Sequence, residues 1–309
     1  MKKILKQYTP DIVLYLYKII QKVPEFLQAQ KSNLGKKYEK IYFYTDEEAV
    51  DMIINHKMSL SRYGDGEFMW MNGEKLDSFQ DYSFKLSQAL VKSFTCNHPK
   101  LLIGIPLGIQ NTKFMNCYAK MHWRIVKQKF YINLTKFINF QKKYVNASIT
   151  RPYIDYRSRS FSEEAFKNIK RIWDKRNIVF VEGKQTKLGI GNDLFNNAKS
   201  CKRIICPSIN AFNSYEKIKI AIYNYVSKED LILVALGPTA SILSAELCQE
   251  GYQIIDIGHI DVEYMWYLKH SILRDSIEGK FVNESGQKDC SDIYDQDEKY
   301  LQSIIVRVD

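Results

Sequence analysis

Short apolar runs alternate with longer amphipathic stretches through the second half of this 309-residue chain. The apolar runs are NIVFVEG at 177–183, RIICP at 203–207, DLILVALG at 230–237 and YQIIDIG at 252–258. Two of the stretches between them, SYEKIKIAIYNYV and PTASILSAELCQEG, are long enough to be helices. Because strands that alternate with helices pair in parallel through right-handed crossovers, this order predicts an α/β fold. We expect a Rossmann-like, doubly wound, mostly parallel sheet with helices on both faces.

The first half of the chain continues the pattern less regularly. Thr45 precedes three acidic residues and marks the start of a helix at Asp46. The expected strands are SLSRYG (59–64), LLIGIPLG (101–108) and ASIT (147–150), and residues 78–95 are expected to be a helix. The predicted organisation is a helical N-terminal extension (1–45), one α/β domain (46–275) that contains a basic helical insert (111–146), and a peripheral C-terminal tail (276–309).

The formal net charge is +10, and much of the positive charge lies in residues 111–146. This segment has eight basic residues, eight interleaved aromatic residues and no acidic residue. Three interpretations are open: an amphipathic helical hairpin with a solvated basic face, docking on an anionic membrane surface or lipid-linked acceptor, and nucleic-acid binding. The third is the weakest, because no nucleic-acid-binding motif accompanies the charge. We therefore expect no nucleic-acid partner and keep peripheral membrane association through 111–146 as one interpretation.

The cellular location is inferred from the start of the chain and from its cysteines. No apolar run approaches the ~18 residues of a membrane-spanning helix. The lysine-containing start, MKKILKQYTPDIVLYLYKII, lacks a clean apolar stretch and a small-residue cleavage site, so we expect it to be retained. Cysteines stand at 96, 117, 201, 206, 248 and 290 with no Cys-x-x-Cys, which favours core thiols in a reducing compartment. We expect a cytoplasmic protein, peripheral at the inner face of the membrane if it associates with one.

Acidic, basic and glycine residues follow the predicted strands, at the edge of the sheet where doubly wound folds bind ligands. Asp65 and Glu67 follow the first strand in RYGDGE, and on an extended segment both carboxylates would lie on one face. Hard divalent cations such as Mg²⁺ and Mn²⁺ prefer such oxygen ligands and also bind phosphates. A solvated acidic turn is the alternative. A second Asp-x-Glu, Asp261 and Glu263, follows the last strand beside His259, which makes these residues candidates for a general acid or base.

The glycine-containing loop EGKQTKLGIGN (182–192) follows a predicted strand and leads into DLFNNAKS. It is neither a P-loop nor a dinucleotide fingerprint, because Ile178 and Leu194 stand where those patterns need a small residue. Lysines and exposed amides before a helix still favour an anion such as a diphosphate. The candidate ligands are Lys184, Lys187 and the amides near Gly191. An ordinary β–α turn is the alternative.

Six motifs, in this order, resemble the bacterial glycosyltransferases with the GT-D fold, formerly a domain of unknown function numbered 1792. They are RYGDGE (62–67), TRPYID (150–155), VEGKQTKLGIGNDLF (181–195), CPSINAF (206–212), ALGPTA (235–240) and IDIGHIDVEYMW (255–266). The resemblance implies a Rossmann-like domain, a nucleotide-sugar donor such as a UDP-hexose, and a divalent Mn²⁺ or Mg²⁺ bound through an Asp-x-Glu motif. Asp65 and Glu67 match that motif. The resemblance also implies a glycan acceptor, lipid- or protein-linked, in surface polysaccharide or glycoprotein biosynthesis.

A mechanism follows as a hypothesis. A cation held by Asp65 and Glu67 neutralises the donor diphosphate, and Asp261, Glu263 or His259 accepts the proton of the acceptor hydroxyl. The donor-binding candidates are Arg62, Gly64, Gly66, Arg151, Lys184, Lys187, Gly191, Asn192 and Thr239, of which Thr239 alternatively only caps a helix. Two other functions stay open: a metal-dependent phosphoesterase or nucleotide-processing enzyme with the same carboxylates, and a non-enzymatic membrane or nucleic-acid adaptor that uses residues 111–146.

Overall fold

The computed structural model of the chain describes residues 10–31, 36–76, 78–282, 285, 294 and 296–309. In this part of the chain a nine-stranded sheet has the strand order β1-β4-β3-β2-β8-β7-β5-β6-β9. The strands are β1 (Tyr42–Phe43), β2 (Ser59–Arg62), β3 (Leu101–Ile105), β4 (Lys143–Asn146), β5 (Asn177–Gly183), β6 (Ser200–Cys206), β7 (Leu231–Ala235), β8 (Gln253–Asp256) and β9 (Ile304–Arg307). All the neighbouring pairs are parallel.

Helices connect and cover these strands. They are α1 (Asp11–Gln30), α2 (Asp46–Asn55), α3 (Asp65–Met71), α4 (Phe84–Phe94), α5 (Cys117–Phe137), α6 (Arg159–Lys170), α7 (Tyr215–Tyr225), α8 (Pro238–Gln249), α9 (Ile260–Leu268) and α10 (Glu298–Ser303). Two large apolar clusters of buried side chains surround the sheet. None of the helices in the described ranges combines the length and apolar character that crossing a bilayer requires.

The predicted mostly parallel α/β sheet is confirmed. Strands β3, β5, β7 and β8 fall within the apolar runs, β2 falls within the expected strand SLSRYG, and every residue of β3, β7 and β8 is buried. Such strands read as continuous apolar runs because helices cover both of their faces. The predicted helix start is also confirmed, since the Thr45 hydroxyl accepts a hydrogen bond from Glu48 N (3.1 Å) and the Glu48 carboxylate accepts one from Thr45 N (2.8 Å). This reciprocal pair is a capping box.

Residues 111–146 differ from the predicted helical hairpin insert. They form one long helix, α5, followed by strand β4, which pairs with β3 and β1. The predicted strand at 147–150 is instead a turn of 3₁₀ helix, because the Asn146 side chain accepts a hydrogen bond from Ser148 N and ends the extended segment (3.0 Å). The insert therefore belongs to the sheet, where the Tyr144 side chain is buried.

The C-terminal segment also differs from the peripheral tail that the sequence predicts. Strand β9 extends the sheet beyond β6, and Val308 N donates a hydrogen bond to Ile205 O (2.8 Å). The Lys280 side chain is fully buried, so the chain after 276 contributes to the interior as well.

The strand order changes direction between β2 and β8. From β2 the sheet continues through β3 and β4, and from β8 it continues through β7 and β5. The chain connections diverge at such a point and leave a crevice at the carboxyl ends of the strands. The residues that follow β2 and β8 therefore lie at the edge of the sheet where a ligand is expected.

Candidate functional site

A cleft of about 440 Å³ opens at the carboxyl ends of β2 and β8. Its polar lining includes Arg62, Asp65, Glu67, Gln80, His122, Ser148, Arg151, Asp155, Thr186, Ser208, Asp256, His259 and Arg274. Its aromatic lining consists of Trp70, Phe79, Trp123 and Phe281. Acidic and basic groups thus share one concave surface at the switch point of the sheet.

Asp65 and Glu67 lie in the first turn of helix α3, which begins directly after β2. The expectation of an extended segment is therefore wrong, and residues two apart on a helix do not share a face. Glu67 turns back to accept a hydrogen bond from Gly64 N (2.8 Å), which caps the helix. Burial raises the pKa of Glu67 to about 7, and the charges of Asp256 and Asp65 add to this effect. The Asp65 side chain is 45% exposed, so the two carboxylates line the same cleft in different environments.

Arg62 and Asp256 form the floor of the cleft. The guanidinium donates to the Asp256 carboxylate through Nη2 (2.9 Å), to Asp256 O through Nε (2.8 Å) and to Ala147 O through Nη1 (2.9 Å). Burial raises the pKa of the Asp256 carboxyl, and Arg62 opposes that shift. Gly258 is required beside this pair, since its φ is +47° and a Cβ there would lie 2.0 Å from Arg62 Nη2.

Helix α5 and the segment after β4 supply a second group of charges. His122 Nε2 lies 3.6 Å from Asp65 Oδ2. Burial lowers the pKa of the His122 imidazole, whereas the nearby Asp65 acts to raise it. Asp155 accepts a hydrogen bond from Arg274 (2.5 Å). Burial alone would raise the pKa of Asp155, but Arg274 and Arg151 outweigh it and lower the pKa.

The loop before α4 forms another wall of the cleft. The sequence predicts a helix from residue 78, but α4 begins at Phe84, after the Ser83 N-cap. The loop is fixed to Asn210. The side-chain Oδ1 of Asn210 accepts a hydrogen bond from Asp81 N (2.7 Å), and its backbone N–H donates to Phe79 O (2.9 Å). The Phe79 ring lies against Gly237, where an added Cβ would come within 2.3 Å of the ring.

The predicted site residues divide into two sets. Seven of them line the cleft: Arg62, Gly64, Asp65, Gly66, Glu67, Arg151 and His259. Seven lie outside its lining: Lys184, Lys187, Gly191, Asn192, Thr239, Asp261 and Glu263.

Thr186 of the glycine-containing loop lines the cleft, but the part of the loop from Lys187 to Asn192 lies outside the lining and is held by hydrogen bonds within the protein. No helix follows it, since residues 193–199 form turns and bends. Asp261 accepts hydrogen bonds from Gly189 N (2.8 Å) and Asn192 Nδ2 (2.7 Å) and is paired with the buried Lys280. Lys280 also donates to Lys187 O (3.0 Å). The loop amides and the Asp261 carboxylate thus satisfy each other inside the protein, which differs from the expected diphosphate site.

Glu263 and Thr239 have similar internal positions. Glu263 is fully buried and accepts hydrogen bonds from Tyr153 N (3.2 Å), Ile154 N (3.0 Å) and Arg151 Nε (3.3 Å). Burial raises its pKa, and Arg151 opposes the shift. Thr239 is buried in the first turn of α8. The structure therefore separates the two Asp-x-Glu motifs, and only Asp65-x-Glu67 lines the cleft.

Sequence reasoning missed His122, Phe79 and Arg274. The predicted site residues follow strands, whereas His122 lies on α5 and Phe79 lies in a loop for which the sequence predicts a helix. Arg274 lies between α9 and the C-terminal segment, with no motif around it. The His-Trp pair within the basic aromatic segment was the one signal available, since a histidine among lysines carries no obvious packing role.

Comparisons with known proteins point to one family. A family model described as glycosyltransferase GT-D fold matches residues 60–285. The chain is 33% identical over 280 residues to glycosyltransferase GlyD of Streptococcus pneumoniae serotype 4, and 34% identical over 224 residues to a probable glycosyl transferase, Gly, of Streptococcus gordonii. These matches cover 90% and 72% of this chain but 34% and 32% of the relatives. The chain thus spans about a third of the length of both relatives.

Solved structures share the fold. One, of the highly conserved domain of unknown function 1792, is described as having a distinct glycosyltransferase fold. It matches with a TM-score of 0.80 at 33% identity and covers 89% of this chain and 98% of that one. Another, described as a new glycosyltransferase of this domain type from Streptococcus sanguinis, has a TM-score of 0.81 at 30% identity, with 87% and 100% covered.

The parallel sheet and the charged cleft at its switch point define an α/β protein with the fold described for these glycosyltransferase structures. The chain belongs to the family of glycosyltransferases with the GT-D fold.

Proposed function

We propose that the chain transfers a hexose from a nucleotide diphosphate sugar, most simply a UDP-sugar, to a hydroxyl group of a glycan acceptor. The observation that carries the proposal is the cleft that Asp65, Glu67, Arg151 and Arg274 line together. Carboxylates bind a divalent cation, and guanidinium groups complement phosphate oxygens. As the family resemblance implies, we propose that the acceptor glycan belongs to a surface polysaccharide or a glycoprotein.

The cleft suits a divalent cation that shares its ligands with the donor. Among the described residues no group of three or more His, Cys, Asp and Glu side chains is arranged to hold a metal alone. Mg²⁺ at phosphate sites is held by one or two carboxylates together with substrate phosphates and water. Asp65 and Glu67 would supply the carboxylates. Burial is the main reason why the pKa of Glu67 is raised, and the charges of Asp256 and Asp65 add to the shift; a cation would offset both effects. When bound, the cation neutralises the diphosphate and stabilises the leaving nucleotide.

The cleft also contains polar groups that suit the sugar and diphosphate. Trp70 is buried in its wall, and its indole Nε1 has no hydrogen-bond partner within the described ranges of the chain. A buried donor of this kind is costly unless a ligand accepts its hydrogen bond. Arg151 and Arg274 place positive charge in the same cleft, in pairs with Glu263 and Asp155 that fix their orientation.

His259 is the candidate for the proton-accepting group. Transfer breaks the bond between the anomeric carbon and the diphosphate oxygen, forms a bond from that carbon to the acceptor oxygen, and releases the acceptor proton. Of the three predicted bases, His259 lines the cleft, while Asp261 and Glu263 are held by internal partners. A ring nitrogen of His259 would accept the proton as the nucleotide leaves with the electron pair of the broken bond.

The first experiment measures donor binding and turnover. We expect UDP to raise the melting temperature only when Mn²⁺ or Mg²⁺ is present, and one of a panel of UDP-sugars to be consumed with release of UDP. Chelation with EDTA should abolish both effects. Asp65→Asn should abolish them as well, whereas Asp51→Asn should not, because Asp51 has a similarly exposed side chain (42% against 45%) outside the cleft.

The rival functions predict different products. A phosphoesterase would hydrolyse phosphate esters without consuming a nucleotide sugar, and that result would contradict the proposal. For the proton acceptor, His259→Asn should lower kcat with little change in UDP binding. Equal losses of kcat and of UDP binding would instead assign His259 to donor binding.

A further inference from the structure

The N-terminal helix α1 presents an apolar face that no part of the described chain covers. Six large apolar side chains on it are 48–65% exposed: Ile12, Val13, Leu16, Tyr17, Ile20 and Leu27. Their three- and four-residue spacing places them along one side of the helix. Single exposed apolar residues are ordinary, but a contiguous stripe marks an interaction surface.

The opposite side of α1 packs on α5, so the helix is held in place and its apolar face is directed outward. Tyr118 N donates a hydrogen bond to the Tyr15 hydroxyl (3.5 Å), and the Lys22 ammonium lies 4.8 Å from the centre of the Tyr118 ring. Arg124 donates to Gln30 O (3.4 Å) near the other end of the helix. These contacts occupy one side of α1 along its length and leave the stripe to a partner outside the described residues.

The charge of the chain is concentrated around the same two helices. The described residues 10–31 and 36–40 contain six lysines and three acidic residues, and α5 contains five basic residues and no acidic one. Together they carry a formal excess of eight positive charges, against a net charge of +10 for the whole chain. The basic layer and the apolar stripe therefore belong to the same part of the molecule.

We propose that the apolar face of α1 lies in the interface of an anionic lipid bilayer, with lysines of the α1–α5 layer beside the headgroups. An amphipathic helix with an apolar face and lysines around it binds such an interface in its plane. Each basic residue near an anionic surface strengthens the attraction, which salt weakens. A second copy of the chain would bring two positively charged layers together, so charge complementarity favours the lipid surface over self-association.

This arrangement assigns membrane contact to α1 rather than to residues 111–146 alone. Helix α5 links the two regions, because its one side contacts α1 and its His122 and Trp123 line the cleft. A molecule docked through α1 would hold this wall of the cleft close to the lipid surface. The inference rests on the exposed face and the charge, and it stands whether or not the proposed UDP-sugar donor is correct.

Flotation of the full chain with vesicles tests the proposal without any substrate. We expect binding to vesicles of phosphatidylcholine with phosphatidylglycerol, little binding to phosphatidylcholine alone, and release at high salt. Leu16→Ser with Ile20→Ser should weaken binding by on the order of tenfold or more, because two exposed apolar anchors are lost. The matched control is Ile220→Ser with Leu301→Ser, which removes the same residue types at 56% and 44% exposure from other helices.

Fluorescence reports the orientation directly. The four native tryptophans are all less than 10% exposed, so a new tryptophan in place of an exposed tyrosine would dominate lipid-dependent quenching. Brominated phosphatidylglycerol vesicles should quench Tyr17→Trp and leave Tyr223→Trp, on α7, at the wild-type level. Equal vesicle binding by the two double variants would overturn the proposal. So would a lipid-independent dimer, measured by sedimentation, that Leu16→Ser with Ile20→Ser converts to a monomer.

Discussion

At the scale of single residues, Asp65 and Glu67 have different tasks although they are two positions apart. Glu67 caps helix α3 through Gly64 N and lies in a buried environment, whereas Asp65 is half-exposed beside His122. A change of charge at Asp65 therefore leaves the fold in place. A truncation at Glu67 removes a cap as well as a charge.

The first prediction separates these tasks. Asp65→Asn and Glu67→Gln should both weaken Mn²⁺ binding by at least tenfold, because each neutralises a proposed ligand. Stability should stay within about 0.5 kcal/mol for Asp65→Asn, and Glu67→Ala should lose about 1 kcal/mol because Gly64 N loses its acceptor. Calorimetric titration with Mn²⁺ and urea unfolding measure the two quantities. Wild-type Mn²⁺ affinity in folded Asp65→Asn would place the metal elsewhere.

The second prediction concerns Asp46, in the first turn of α2. Burial raises its pKa from the usual 3.8 to about 6, against a smaller opposing effect of the Asn146 side chain. Between these two values the unfolded chain has lost the proton that the folded chain keeps. The contribution of Asp46 to stability is therefore complete below about pH 4 and is lost as the pH rises through 6.

Urea unfolding at several pH values between 4 and 7 measures this effect. The wild type should lose stability relative to Asp46→Asn as the pH rises across this window, and the difference should be constant above pH 7. The opposite slope would mean that favourable interaction of the carboxylate with the amino end of α2 outweighs its desolvation.

At the scale of elements, the apolar strands inside the sheet could be predicted from the sequence, and the strands at its two edges could not. Strands β3, β7 and β8 are buried throughout and read as continuous apolar runs. The edge strands β1 and β9 have two and four residues, so their place in the sheet depends on neighbours far away in the chain. Pairing of this kind leaves no local pattern, because only one side of an edge strand has to match a partner.

The candidate site shows the same division. Arg62, Asp65 and Glu67 follow a predictable strand, and position along the sheet identified them. The role of the glycine-containing loop could not be predicted, because Asp261 and Lys280, which satisfy it, are about 70 and 90 residues further along the chain. His122 was missed because it lies on a helix face and not after a strand.

The third prediction concerns the contact of the Phe79 loop with the start of α8. Gly237 has φ +55° and ψ −137°, a conformation that residues with a Cβ avoid, and the Phe79 ring occupies the space of a Cβ. Gly237→Ala should therefore cost more stability than Gly251→Ala, whose φ is +86° but which has nothing within 4 Å. The control should lose roughly 1–2 kcal/mol for its backbone conformation alone.

A double-mutant cycle with Phe79→Ala isolates the clash. Removal of the ring should relieve part of the extra cost of Gly237→Ala and none of the cost of Gly251→Ala. UDP binding should also weaken in Gly237→Ala, because the displaced ring belongs to the wall of the cleft. Equal costs at the two glycines would show that the Phe79 loop moves aside without resistance.

At the scale of the whole molecule, the two halves of the sheet are joined between β2 and β8. The register there includes one pair, Leu60 and Ile255, whereas β5 and β6 are paired along seven residues. Side-chain hydrogen bonds of β2 strengthen this connection. Ser61 donates to Ser241 O on α8 (2.8 Å), and Arg62 donates to Asp256 at the end of β8 and to Ala147 O after β4. Arg62 thus connects β2 to β8 and to the segment after β4, directly beneath the cleft.

The last prediction follows from this position. Arg62→Met should lower the free energy of unfolding by about 3–5 kcal/mol, because it leaves the buried Asp256 charge without its partner. Adding Asp256→Leu should recover much of the loss, since replacement of both partners removes the buried charge. Lys57→Met is the control, because the Lys57–Glu229 pair is exposed and exposed pairs contribute at most about 1 kcal/mol.

Hydrogen exchange tests where the stability is lost. The backbone amides of β2 and β8 should lose more protection in Arg62→Met than those of β5 and β6. A loss no larger than that of Lys57→Met would mean that the packing of α8 under the sheet, and not the Arg62 pair, holds the halves together.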